Sequence, residues 1–239
     1  MADRDSTTPP ASAAIYKPFL LPIYDAFVLG FSNAFAWCCS TKNVLLPFYR
    51  EHLTNSKNHL DVGVGTGYYP LRSLDLLREG TRIVLMDITP HTLNLVISRL
   101  ENDAGLQQVE SVFHDATKPW DRPAHLAKFD SISFFYVFHC MSGSSIKEKA
   151  DAVCGSLKHH LDPENGVFYG ATILGVEAKH NFLGSILMKL YNRKGIFGNL
   201  NDKESDLRDA LKGHFQEVDV TREGKVALFK AKKPILRKR

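Results

Sequence analysis

Cysteine is scarce in this chain, with four among 239 residues: Cys38, Cys39, Cys140 and Cys154. None forms a Cys-x-x-Cys pair, so zinc-finger spacing and a disulfide framework are both excluded. Buried free thiols in a reducing compartment fit this usage, and a cytoplasmic location is expected. Long hydrophobic runs are missing as well. The most apolar early stretch, Phe19 to Trp37, is interrupted by Pro22, Asp25, Gly30 and Asn33, which argues against a membrane span. The first residues have no apolar centre of a secretory signal, and residues 1–13 read as a disordered leader. Neither sign of charge dominates: 30 basic against 26 acidic residues give +4, part of it in a basic tail at 233–239. No basic face interleaved with aromatics appears, so no nucleic-acid partner is expected. Asp115, Asp121 and Asp130 have no metal-ligand spacing, so no metal is expected. Nothing in the sequence settles the oligomeric state.

What the chain does have is enough apolar material for one core: 44% hydrophobic and 10% aromatic residues. One domain is expected over 14–239, with a helical lid at 14–55 and a core at 56–232. In the lid, Leu20, Ile23, Phe27, Phe31 and Phe35 recur at helical spacing, which predicts one apolar stripe. A second helix is expected over 41–52, capped by Ser40 or Thr41, with Pro47 kinking it or delaying its start. Strands and helices then alternate. Strands are expected at 59–62, 82–86, 109–113, 131–136 and 166–174, and a final pair at 218–221 and 226–230. Helices are expected at 68–77, 90–100, 146–160 and 204–212, the last stopped by Gly213. Such alternation builds a mostly parallel α/β sheet by right-handed crossovers, and a hairpin at Glu223-Gly224 adds one antiparallel strand.

The chemistry begins where the first strand ends. Asp61-Val62-Gly63-Val64-Gly65-Thr66-Gly67 places three glycines in a strand-to-helix turn, where backbone can approach a ligand closely. The spacing is Gly-x-Gly-x-Gly; a dinucleotide fingerprint is not met. Asp61 can accept from an ammonium group. Some twenty residues on, a nucleoside site wants an acid at the end of the second strand, and Asp87 stands there, able to take both ribose hydroxyls. A bare glycine turn with a helix-capping Asp87 would leave this spacing unexplained.

Leu60 through Gly67 resembles motif I of the class I S-adenosylmethionine-dependent methyltransferases. Asp87 matches that family's ribose-binding acid. Asp115-Ala116 resembles its adenine segment, and Phe129 through His139 its fourth-strand motif. The resemblance implies S-adenosylmethionine as cofactor and a Rossmann-like seven-stranded sheet, mostly parallel with an antiparallel last strand. It also implies that Tyr136 touches the cofactor. Tyr24 through Asn33 and Tyr191 through Phe197 are similar to a narrower group of small-molecule methyltransferases. That group includes fungal polyketide enzymes of the citreoviridin and aurovertin type, which O-methylate a hydroxy-α-pyrone.

Methyl transfer from a sulfonium needs alignment and exclusion of water more than activation. His139, just after the fourth strand, is the candidate general base, although a packing role weighs against it and an acidic enol needs no base. Tyr24 is the candidate for the cofactor carboxylate, with Trp37 in the lid. The apolar segment from Val176 to Gly198 is expected to wall the substrate. The function expected is O-methylation of a small hydroxylated polyketide. The alternatives are N-methylation of a small metabolite, or a methyltransferase-like binder without transfer, such as a cyclase or regulatory module.

Overall fold

The computed structural model describes residues 25–104 and 109–236, without the side chains of 25–28 and 102–104. The leader at 1–13, Tyr24, and Leu20 and Ile23 of the predicted lid stripe lie outside the described residues.

Seven strands form one sheet: β1 (Asn58–Val62), β2 (Arg82–Asp87), β3 (Val109–Phe113), β4 (Ser131–Phe135), β5 (Val167–Ile173), β6 (Phe215–Glu223) and β7 (Val226–Pro234). Their order is β3-β2-β1-β4-β5-β7-β6. Strands β1 to β5 pair in parallel, and β7 runs antiparallel to β5 and β6. Every residue of β4 and β5 is buried, as a parallel strand covered on both faces requires. The strand order reverses between β1 and β4, and an open α/β sheet has its ligand crevice there, past the carboxyl ends of the strands.

The helices are α1 (Leu46–Leu53), α2 (Tyr68–Leu71), α3 (Pro90–Ala104), α4 (Ile146–Leu157), α5 (Phe182–Arg193) and α6 (Glu204–His214). Ser40 accepts from the Asn43 N–H as expected of a cap, and the helix it opens is a π-helix over Thr41–Leu45 that runs directly into α1, whose first turn holds Pro47. The helix expected at 68–77 is much shorter. Pro70 sits in α2, and a separate 3₁₀ turn covers Leu74–Leu76. Gly213 does not stop α6; the helix continues through it to His214. Strand β7 extends to Pro234, so the basic tail begins later than residue 233.

The lid departs most from expectation. Asp25–Ala36 is a π-helix, wound wider than the α period. Among its described side chains the buried ones are Ser32, Asn33 and Ala36, whereas Phe31 and Phe35 are 45% and 60% exposed. The stripe counted at α-helical spacing is therefore displaced. The segment that follows is pinned to the far hairpin. The Lys225 N–H donates to the Trp37 carbonyl at 2.8 Å. Gly224, at φ +57, lies so close that a Cβ would stand 2.2 Å from the Cys38 carbonyl oxygen.

Candidate active site

Two adjoining hollows open at the carboxyl ends of β1, β2, β4 and β5. Gly63, Gly65, Tyr136 and Cys140 line both. The larger, about 400 Å³, is bordered by Asp87, Ile88, Asp115, Ala116 and Thr117. The smaller, about 150 Å³, is bordered by Asp61, Ser32, Asn33, Trp37, His139 and Phe197, with further aromatic rings.

The glycine loop shapes the junction. Gly63 has φ +73, and a Cβ there would meet the Val137 side chain at 2.3 Å, so only glycine lets β1 turn against the end of β4. Tyr136 is also left-handed, at φ +61, an uncommon state for a large residue. It holds that state while its N–H donates to the Ala171 carbonyl at 2.8 Å and its hydroxyl to Asn33 Oδ1 at 3.0 Å.

Asp87 borders the larger hollow and Asp61 the smaller. Burial pushes Asp87 up to about 6, against the pull of the Thr89, Gly65 and Ile88 main-chain N–H groups. Burial likewise pushes Asp61 up to about 6. Asp61 Oδ1 accepts from Ser133 at 2.9 Å, and Oδ2 accepts from the Tyr49 hydroxyl at 3.1 Å. The same hydroxyl lies 3.1 Å from His59 Nε2, and His59 Nδ1 is 2.9 Å from Ser131 Oγ. A nucleoside with a cationic tail suits this donor set. Asp87 can accept from two ribose hydroxyls, and Asp61 becomes more favourable as an anion once an ammonium is near it. Asp115 is held by Thr117, whose N–H and hydroxyl donate to Oδ1 at 2.9 and 2.7 Å. Asp115 borders the larger hollow. Ala116 beside it is small and buried. Tyr24 lies outside the described residues.

The smaller hollow is aromatic. Phe197 packs on Trp37, His139 and Tyr191 at centroid distances of 6.1, 4.6 and 4.9 Å. The loop carrying it is clamped from behind. Lys149 on α4 donates to the Gly198 carbonyl at 2.7 Å, to the Phe138 carbonyl at 3.3 Å and to Asp202 Oδ2 at 2.7 Å. Both partners of that ion pair are almost fully buried. Arg193 and Lys194 are exposed, and neither borders the hollow.

Sequence reasoning missed Tyr49, His59 and Ser133, which fix Asp61, and Lys149 with Asp202, which fix the aromatic wall. A buried lysine on an otherwise apolar helix face was the available signal for the second set. No local pattern announced the first.

The site is that of a class I methyl-transfer fold, and the comparisons agree. No family model matches the chain. An uncharacterised protein of Escherichia coli (strain K12), YbcY, is 41% identical over 204 residues, covering 85% of this chain and 98% of its own. The physcion biosynthesis cluster O-methyltransferase of Aspergillus chevalieri is 37% identical, covering 93% and 95%. Among solved structures, the N-methyltransferase NodS of Bradyrhizobium japonicum WM9 with S-adenosyl-L-homocysteine has a TM-score of 0.55 at 12% identity, over 80% and 84% of the two chains. The chain belongs to the S-adenosylmethionine-dependent methyltransferases. Its cofactor is S-adenosyl-L-methionine.

Proposed function

We propose that this enzyme O-methylates an enolic or phenolic hydroxyl on a small planar polyketide, such as a hydroxy-α-pyrone, in secondary metabolism. One observation carries the reading: the hollow beside the cofactor lobe is lined by Trp37, Tyr68, Tyr69, Phe135, Tyr191 and Phe197, and by no lysine or arginine among the described residues. Flat faces of this kind hold a ring, and the absence of a cation disfavours a phosphorylated or polyanionic acceptor. A volume near 150 Å³ suits one six-membered ring with its substituents. The name of the physcion-cluster relative supports an oxygen acceptor.

In this reading Asp87, Asp115 and Ala116 hold the nucleoside. Asp61 faces the ammonium group, and Gly63 and Gly65 admit the chain between the lobes. When bound, the cofactor supplies a methyl group on a sulfonium that departs without further activation. The aromatic wall excludes water and sets the ring's approach, and His139 meets the acceptor oxygen. The test is incubation with isotope-labelled S-adenosylmethionine and a panel of hydroxypyrones, phenols and amines. O-methylation of the ring hydroxyls is expected. Labelling of the amines alone would overturn the reading.

A further inference from the structure

We propose that His139 acts as a fixed hydrogen-bond donor to an acceptor that is already ionised, so that the substrates are acidic enols and not simple phenols or alcohols. The inference rests on the O-methylation reading above.

The His139 ring is 3% exposed and wedged between Tyr136 and Phe197, at centroid distances of 5.2 and 4.6 Å. Its Nδ1 accepts the main-chain N–H of Ile173 at 3.4 Å and lies 3.4 Å from Thr172 Oγ1. A main-chain N–H can only donate, so Nδ1 must present its lone pair. In a neutral imidazole the proton then sits on Nε2. Among the described residues Nε2 has no hydrogen-bond partner, and His139 borders the acceptor hollow. A ring held in this tautomer offers the hollow a donor and has no lone pair left to take a proton.

The cationic ring is closed off too. Burial and the nearby Lys149 ammonium bring His139 down to about 3. That ammonium is itself tied to Asp202.

The other groups around the hollow take no proton either. Burial pushes the Cys140 thiol up to about 12, and the Tyr136 hydroxyl donates to Asn33. Asp61 is the one carboxylate among the described lining residues, and in the reading above the cofactor's ammonium group holds it as an anion, paired with that charge. A proton on the acceptor oxygen therefore has no destination in the hollow. An acceptor that ionises in water near neutral pH avoids the difficulty, because it enters as an anion. Its oxygen meets the Nε2–H, and the buried Ser32 Oγ, unpartnered among the described residues, supplies a second donor. The oxygen's electron pair forms the new O–CH3 bond, the S–CH3 bond breaks with its pair staying on sulfur as a neutral thioether, and no proton moves.

Two measurements on the full chain test this. With ¹⁵N-histidine labelling, the His139 ring, identified by its loss in His139→Gln, should show the Nε2–H tautomer without change from pH 6 to pH 8. An Nδ1–H or a charged ring overturns the proposal. The second measurement compares 4-hydroxy-6-methyl-2-pyrone with 3-methylphenol, acceptors of similar size. At pH 7 the pyrone should be favoured about a hundredfold in kcat/KM, and the phenol should gain about tenfold per pH unit above 7. Equal rates, with a pH limb that disappears in His139→Gln, overturn it. His139→Gln keeps a donor and should lose less than about tenfold, whereas His139→Leu should lose about thirtyfold or more. If calorimetry shows cofactor binding and neither ring is methylated, the O-methylation reading has failed, and the ring spectrum still decides the tautomer.

Discussion

The two lobes of the site are built in opposite ways. The nucleoside lobe uses main chain and carboxylates from short runs, 62–65, 86–89 and 114–117, closed by the end of β4 and the turn after it. The acceptor lobe shares Asp61 and the glycine loop and adds side chains from the π-helix, α2, the ends of β4 and β5, α5 and the loop after it. Recognition by backbone at a strand end requires glycines and an acid at set intervals. Recognition by packed rings requires only that distant segments meet. The first lobe should therefore respond to substitutions in its own short motifs. The second should respond to whatever holds its walls together.

The largest expected effect falls on the acceptor lobe. Lys149→Met removes the ammonium that ties Gly198, Phe138 and Asp202 together, and leaves Asp202 buried without its cation. Breaking one side of a buried pair costs about 3 to 5 kcal/mol. Urea denaturation should read that loss, and a change below about 1 kcal/mol would show that the clamp does not hold the wall. Next comes the nucleoside lobe. Asp87→Ala deletes the acceptor for two ribose hydroxyls and should weaken cofactor binding by about 2 to 3 kcal/mol, roughly 30- to 150-fold, in calorimetry. Unchanged affinity would place the ribose elsewhere.

The same contrast explains what was legible beforehand. Asp61, Gly63, Gly65, Asp87, Asp115 and Ala116 border the hollows and stand in a strand-loop-helix context where spacing itself reports chemistry, whereas Gly67 borders neither hollow. The sheet was legible for the same reason: β2, β4 and β5 are short apolar runs between turns, and Glu223-Gly224 marks the hairpin between β6 and β7. The lid was misread because its phenylalanines were counted at α-helical spacing, while the backbone is a π-helix that buries Ser32, Asn33 and Ala36 instead. The tautomer of His139 was illegible, since it is set by a main-chain N–H on β5.

A pH titration separates cofactor binding from folding. Asp61 and Asp87 both stand near 6 in the free protein, raised from the ordinary carboxylate value near 3.8 by burial. The native state therefore holds more protons than the unfolded chain between about 4 and 6. These two groups contribute stability fully below pH 4 and lose it as pH rises through 6. Cofactor binding runs the other way, because an ammonium at Asp61 and donating ribose hydroxyls at Asp87 each favour the carboxylate. Affinity should fall about twofold per carboxylate at pH 6 and about tenfold at pH 5. The thermal shift on adding S-adenosylmethionine should thus grow from pH 5 to pH 7 while the free protein's own Tm loses this contribution. Parallel movement of the two would contradict the assignment of these carboxylates to the cofactor.

The smallest effect tests how far α1 belongs to the nucleoside lobe. Tyr49 is fully buried, stacks on Tyr69 at 5.2 Å, and its hydroxyl donates to Asp61 Oδ2. The ring fills space that Tyr49→Phe keeps filled, so the substitution removes one hydrogen bond and little else. That bond lowers the Asp61 pKa against the rise caused by burial, so its loss should move the midpoint further up. Cofactor affinity at pH 7 should drop by about 1 kcal/mol, roughly fivefold, and the pH dependence of binding should shift toward neutrality. His59 next to the same hydroxyl is pushed down to about 3 by burial, so it stays neutral and does not compensate. A fivefold loss with an unshifted midpoint would mean that Tyr49 acts through packing alone, and that only β1 and its loop define the cofactor's polar contacts.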